Sequence, residues 1–148
     1  ESDVLTSSAR RIFSCPAYCV ELSVMTIFSS TPVSAGPLSV RAFDEMMRSD
    51  DYLEGFLLMD DTVPAGYALL QKTYSREAGG LTIWIDEIYL RPALRGKGLA
   101  KAFFAFAETL GARGLRLEVE PENAHAVALY QKLGYRMMEY RSMAKDLS

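Results

Sequence analysis

Hydrophobic residues along this chain switch between a two-residue and a roughly 3.6-residue period, and each switch marks an element. Gly55 to Met59 and Ala65 to Tyr74 are strand-like runs joined by Asp60-Asp61-Thr62, the pattern of a hairpin. Arg76-Glu77-Ala78-Gly79-Gly80 reads as a second turn and Leu81 to Leu90 as a third strand. Leu99, Phe103, Phe106 and Leu110 then recur at i, i+4, i+7 and i+11, one face of a helix over Lys97 to Leu110 that Gly111 and Gly114 close. Leu115 to Glu120 is another strand, Glu122 to Leu133 a short helix stopped by Gly134, and Tyr135 to Lys145 a last strand.

Upstream the pattern is weaker. Val4, Leu5, Ala9, Ile12 and Phe13 suit a short helix over Val4 to Phe13, ended by Pro16. Val20 to Phe28 fits a strand or a buried helix turn, and the Ser-, Pro- and Gly-rich stretch to Pro37 is loop material. Ser39 is placed to cap a helix running to Arg48, with Phe43, Met46 and Met47 inward. Helices, an antiparallel meander, then strand-helix-strand-helix-strand predict an α/β fold. The sheet is mixed and mostly antiparallel with helices on its faces, unlike a doubly wound nucleotide fold.

Length and composition narrow the class. A chain of 148 residues reads as one domain, and 49% hydrophobic with 24% charged residues is ordinary for a soluble protein. A net charge of -3 argues against nucleic acid as an electrostatic partner. No apolar run reaches membrane-spanning length, and Glu1-Ser2-Asp3-Val4 shows no signal-peptide pattern. Cys15 and Cys19 do not make a disulfide scaffold, and with a single histidine no zinc pattern forms. Reduced cysteines in a cytoplasmic, metal-free protein are expected.

The candidate chemistry begins after the third strand. Arg95-Gly96-Lys97-Gly98-Leu99-Ala100 joins that strand to a helix start, where free backbone N–H groups and the helix dipole favour an anion. Gly96 and Gly98 let a phosphate approach the backbone, and Arg95 and Lys97 bring full charges beside it. The phosphate-loop motif GxxxxGK[ST] is absent, and GxGxxG fails because Lys101 stands where its third glycine belongs. Downstream, Asn123, Val127 and Tyr130 fall at i, i+4 and i+7 on one helical face, aligning an amide with a phenol.

These residues carry a resemblance. Asp86-Glu87-Ile88-Tyr89-Leu90-x-Pro92-x-x-Arg95-Gly96-Lys97-Gly98-Leu99-Ala100 is followed by Leu117-Glu118-Val119-x-Pro121-x-Asn123, then Leu129-Tyr130-x-x-Leu133-Gly134-Tyr135. The pair resembles the GNAT family of acetyl-CoA-dependent N-acetyltransferases. Its R/Q-x-x-G-x-G/A signature is met by Arg95, Gly98 and Ala100, and its second signature by Asn123, Leu129, Tyr130, Gly134 and Tyr135. The match covers residues 53–145 well, and the first 50 residues, the acceptor side, weakly.

The resemblance implies a single acetyltransferase domain over 1–148 with acetyl-CoA as co-substrate. The pyrophosphate would sit on Arg95 to Ala100, and the pantetheine arm would pair with the backbone of Ile88, Tyr89 and Leu90 as an added strand. A splay toward the strand at 115–120 would make room, and an N–H near Ile88 would be the oxyanion donor. Tyr130 resembles the family's general acid, and Asn123 would orient the pantetheine. The base is Asp86 or Glu87; Asp86, nine residues before the motif arginine as in some polyamine and aminoglycoside members, is favoured, acting through a water. As neighbours on a strand the two carboxylates face opposite sides unless a bulge intervenes. Either could instead merely bind a cationic substrate.

The remaining residues read more simply. His125 reads as surface, Trp84 as core in preference to an acceptor wall, Met46, Met47, Met137 and Met138 as core fill, and Asp50-Asp51 and Asp60-Asp61 as solvated turns. The function expected is acetyl transfer to a primary amine of a small molecule. Alternatives are a protein N-terminus or lysine as acceptor, and, in another class, a non-catalytic coenzyme A sensor. An edge strand such as the last one leaves room for a homodimer.

Overall fold

In the computed structural model, six strands among the described residues hydrogen-bond into one sheet in chain order. They are β1 (Phe13–Cys15), β2 (Tyr18–Glu21), β3 (Leu53–Asp60), β4 (Val63–Ser75), β5 (Gly80–Leu90) and β6 (Gly114–Leu117). Neighbours run antiparallel as far as β5, and β6 joins β5 in parallel. The helices are α1 (Pro37–Arg48), α2 (Leu99–Glu108) and α3 (Ala124–Lys132), with a 3-10 turn at Pro92–Leu94. The structure describes residues 13–15, 18–21, 37–60 and 63–147. Residues 1–118 form one compact unit and residues 119–148 another.

In the first unit a parallel pair needs a crossover, and α2 supplies it between β5 and β6. β3 is the centre of the packing, buried continuously from Gly55 to Met59. Phe56 meets Phe103 and Phe106 of α2 at ring distances of 5.7 and 5.4 Å. On the next residue, a Cβ at Gly55 would stand 3.3 Å from Met46 Sδ of α1. Successive strand residues face opposite sides, so helices cover both faces of β3. That is why its sequence is an unbroken apolar run rather than an alternating one. Phe56, Phe103, Phe104, Leu58, Leu70 and Ile83 are the large, fully buried side chains around it.

β4 and β5 approach closely at one point. A Cβ on Gly66 would lie 1.9 Å from the Tyr89 carbonyl oxygen and 2.9 Å from Leu90 Cα, so only glycine fits opposite the end of β5.

Several expectations from the sequence need correction. The helix over Lys97 to Leu110 is shorter, Leu99–Glu108, because Gly98 adopts φ 85° and ends the turn as its N-cap. α1 starts at Pro37 ahead of Ser39, since proline suits a first helical turn that needs no N–H donor. The strand over Leu115 to Glu120 is confined to Gly114–Leu117. In the second unit α3 starts at Ala124, after Asn123 as N-cap. No strand forms over Tyr135 to Lys145, where Met137-Met138 breaks the two-residue period and Met137, Met138, Tyr140 and Met143 are exposed. The two methionines are therefore not core. Phe13 opens β1 and Val20 and Glu21 lie in β2; the rest of the expected helix over Val4 to Phe13 and of the run to Phe28 lies outside the described residues.

Candidate functional site

The turn before α2 has open backbone and uncapped N–H groups, a geometry that suits an anion. Gly96 and Gly98 have φ of 78° and 85°, the left-handed region that favours glycine, and nothing lies within 4 Å of where either Cβ would stand. Ala102 N–H makes the first α-helical bond, to the Gly98 carbonyl. The N–H groups of Leu99, Ala100 and Lys101 precede it, and no side chain caps the helix. Arg95 Nε donates to the Leu90 carbonyl at 2.9 Å, which pins the guanidinium at the end of β5 with its charge intact. Lys97 is committed differently: its Nζ lies 2.7 Å from Asp60 Oδ2 at the end of β3. Asp60 is thus an ion-pair partner and not a solvated turn residue.

β5 leads from this turn to a cleft. Its pairing with β6 ends at Ile85 opposite Leu117, while β5 runs on to Leu90. From Asp86 to Leu90 that edge pairs with no strand of the described residues. By strand geometry it is about 13 Å of open backbone. On the other edge the register slips: Glu87 opposes Leu69, but Ile85 opposes Leu70, which leaves Asp86 as the extra residue of a β-bulge.

The bulge gives the two carboxylates different surroundings. A cleft of about 320 Å³ is lined by Gln71, Trp84, Ile85, Asp86 and Glu118. Gln71 opposes Trp84, so the two share a face. Glu87 accepts a hydrogen bond from Tyr67 Oη at 2.5 Å. Burial first, then that bond, push the Tyr67 phenol well above its usual range, so it stays a donor. Asp86 therefore meets the cleft while Glu87 is held by Tyr67. Trp84 is a cleft wall and not core; the Arg116 guanidinium sits 5.7 Å over its ring.

In the second unit, Asn123 Oδ1 accepts from Ala126 N–H at 3.2 Å, the usual work of an N-cap. Tyr130 lies two turns along α3, its ring 6.0 Å from that of Tyr135. Burial raises the Tyr130 pKa, so the phenol keeps its proton through neutral pH.

The first unit thus carries a glycine turn and an open strand edge beside a bulge, and the second an Asn-capped helix with a tyrosine. The model of the acetyltransferase (GNAT) family matches residues 22–135, well over half the chain. The chain belongs to the GNAT acetyltransferase family. A peptidyl-lysine N-acetyltransferase of Salmonella typhimurium, YjaB, is 32% identical over 88 residues, 60% of this chain and 52% of that protein. The chain thus spans about half the length of that curated relative. Among solved structures, an integron cassette protein from the Cole Harbour salt-marsh metagenome is similar, with TM-score 0.60 and 26% identity over 74% of this chain and 70% of that one. AAC(6')-Iy, bound to a CoA-S-monomethyl-acetylneamine bisubstrate analogue, superposes with TM-score 0.64 and 22% identity over 79% of this GNAT chain and 84% of its own. At that identity the likeness concerns the fold.

Within the GNAT chain, the sequence singled out the turn, Ile88 to Leu90, Asp86, Glu87, Asn123 and Tyr130. It missed Gln71 and Tyr67, which reach the site region from β4, and Glu118, which follows the end of β6. Only the alternation that puts Gln71 and Tyr67 on one face of β4 hinted at the first two. Among the described residues no helix is long and apolar enough to cross a membrane, and no group of His, Cys, Asp and Glu gathers as metal ligands.

Proposed function

We propose that this chain is an acetyl-CoA-dependent N-acetyltransferase acting on a primary amine of a small cationic molecule. The observation that carries the reading is the course of β5. One strand joins the anion turn after Leu90 to the bulged Asp86 in the cleft, and its edge is unpaired between the two. The turn fits a diphosphate, since its glycines leave open space and its first helical N–H groups have no side-chain cap. The Ile88 to Leu90 edge fits an extended arm that carries amides of its own.

Bound there, acetyl-CoA would supply a thioester whose acetyl group passes to the amine. Arg95 and the N–H groups of Gly96 to Ala100 hold the phosphates. Ile88, Tyr89 and Leu90 offer backbone partners to the arm, with an N–H near Ile88 as the oxyanion donor. Asp86 takes the proton that an ammonium must lose before it attacks. Tyr130, kept protonated by burial, returns a proton to the departing sulfur. The Asn123 oxygen is engaged with Ala126, so its amide N–H group is the part that orients the arm. Trp84, Asp86 and Glu118 give the cleft an aromatic wall and two carboxylates, which suits an ammonium.

A second reading, acetylation of a lysine in a protein, is supported by the similarity to the peptidyl-lysine N-acetyltransferase. One experiment separates the readings. Small diamines, amino acids, lysine peptides and free N-terminal peptides are each mixed with acetyl-CoA, and thiol release is followed. Release with diamines supports the first reading, and release with lysine peptides alone selects the second. Calorimetric uptake of coenzyme A with no turnover on any amine would make the chain a sensor. In an enzyme Tyr130→Phe loses most turnover and keeps coenzyme binding.

A further inference from the structure

Of the two cations flanking the anion turn, one is already neutralised inside the molecule. Arg95 bonds a neutral carbonyl. Lys97 bonds a carboxylate, Asp60, at 2.7 Å, with side-chain exposures of 49% and 24%. The pair ties the end of β3 to the residue just before the N-cap of α2. We propose that Asp60 is an internal stand-in for a ligand phosphate, holding Lys97 until a diphosphate takes it over. Asp60 thereby sets how tightly the turn grips a phosphate-bearing carrier. This rests on the reading above, that the turn binds the diphosphate of coenzyme A.

The physics favours exchange. A half-exposed ion pair is weak and is screened by salt. A diphosphate brings more negative charge than one carboxylate and lies along the dipole of α2, so it outcompetes Asp60 for the ammonium. Once Lys97 has moved, the Asp60 carboxylate stands near the incoming charge and opposes it. Asp60 thus lowers affinity twice, as a competitor before binding and as a like charge after it. A carrier without phosphates meets neither effect.

Calorimetry of coenzyme A and of S-acetyl-pantetheine, which lacks the diphosphate, tests this on four proteins: parent, Asp60→Asn, Lys97→Gln and the double variant. Asp60→Asn should bind coenzyme A about two- to fivefold tighter, the size set by one exposed pair. Its S-acetyl-pantetheine affinity should equal the parent's. Lys97→Gln should bind coenzyme A more weakly, and the double variant should show a smaller gain from Asp60→Asn than the parent background does. Asp60→Glu keeps the charge and should match the parent, which separates charge from misfolding. Unchanged or weaker coenzyme A binding by Asp60→Asn, or an equal gain for both carriers, overturns the inference and leaves the transferase reading intact. If the parent takes up no coenzyme A, the transferase reading fails and this inference falls with it.

Discussion

At the scale of single residues, the proposed choice of Asp86 over Glu87 as the base draws on one extra residue in β5. A regular strand would set the two carboxylates on opposite faces. The bulge frees Asp86 from pairing with β4, and the residue lines the cleft, whereas Glu87 is engaged by the Tyr67 phenol. A positioned general base contributes about 10²–10⁴ in rate. Asp86→Asn should therefore lower kcat by about that factor with coenzyme A affinity unchanged, and Glu87→Gln should lower it by less than tenfold. Thiol-release kinetics beside calorimetry would check both, and the reverse ranking would move the base to Glu87. Little of this was legible beforehand. The motif spacing marked both carboxylates, but a bulge is decided by pairing with Leu69 and Leu70, some seventeen residues earlier in the chain. The Lys97–Asp60 pair was hidden for the same reason, because its partners are 37 residues apart.

At the scale of elements, what the sequence reveals is what local periodicity controls. β4, β5 and α2 were visible because an apolar period of two or of 3.6 residues recurs in each, and β3 because a short unbroken apolar run stands between turn residues. Their ends were less visible, since they depend on particular residues such as Gly98 in its left-handed conformation and Asn123 as a cap. The strand expected after Tyr135 failed because a strand needs a partner edge, which local pattern does not supply. The pairing of β4 with the end of β5 in turn depends on Gly66, whose missing Cβ lets β4 come within reach of the Tyr89 carbonyl. In Gly66→Ala the added methyl meets backbone on all three near contacts, which no rotamer can relieve, so the strands must part. The expected cost is about 1–3 kcal/mol of stability. Because the shift falls on the stretch proposed to pair with the pantetheine arm, coenzyme A binding should weaken as well. A urea melt and a titration of the same protein would show both, and a variant as stable and as tight as the parent would mean that this approach is not required.

At the scale of the molecule, stability and the site draw on the same contacts. Phe56 is 2% exposed and touches Phe103 and Phe106, so it joins the central strand to the helix whose N-terminus forms the anion turn. Truncating a buried phenylalanine costs about 3–5 kcal/mol. A domain is held by about 5–15 kcal/mol, so Phe56→Ala should remove a large share of the total. The effect should reach the site, because α2 would lose the surface that sets its position over β3. Met143, at 99% exposed, makes the opposite case. Met143→Ser removes almost no buried area and should leave the unfolding free energy from a urea melt within about 0.5 kcal/mol of the parent. Measured side by side, the two variants show where the folding energy resides. A small loss for Phe56→Ala together with a large one for Met143→Ser would shift the packing from the β3–α2 layer to the chain beyond Tyr135, and the anion turn would then need another support.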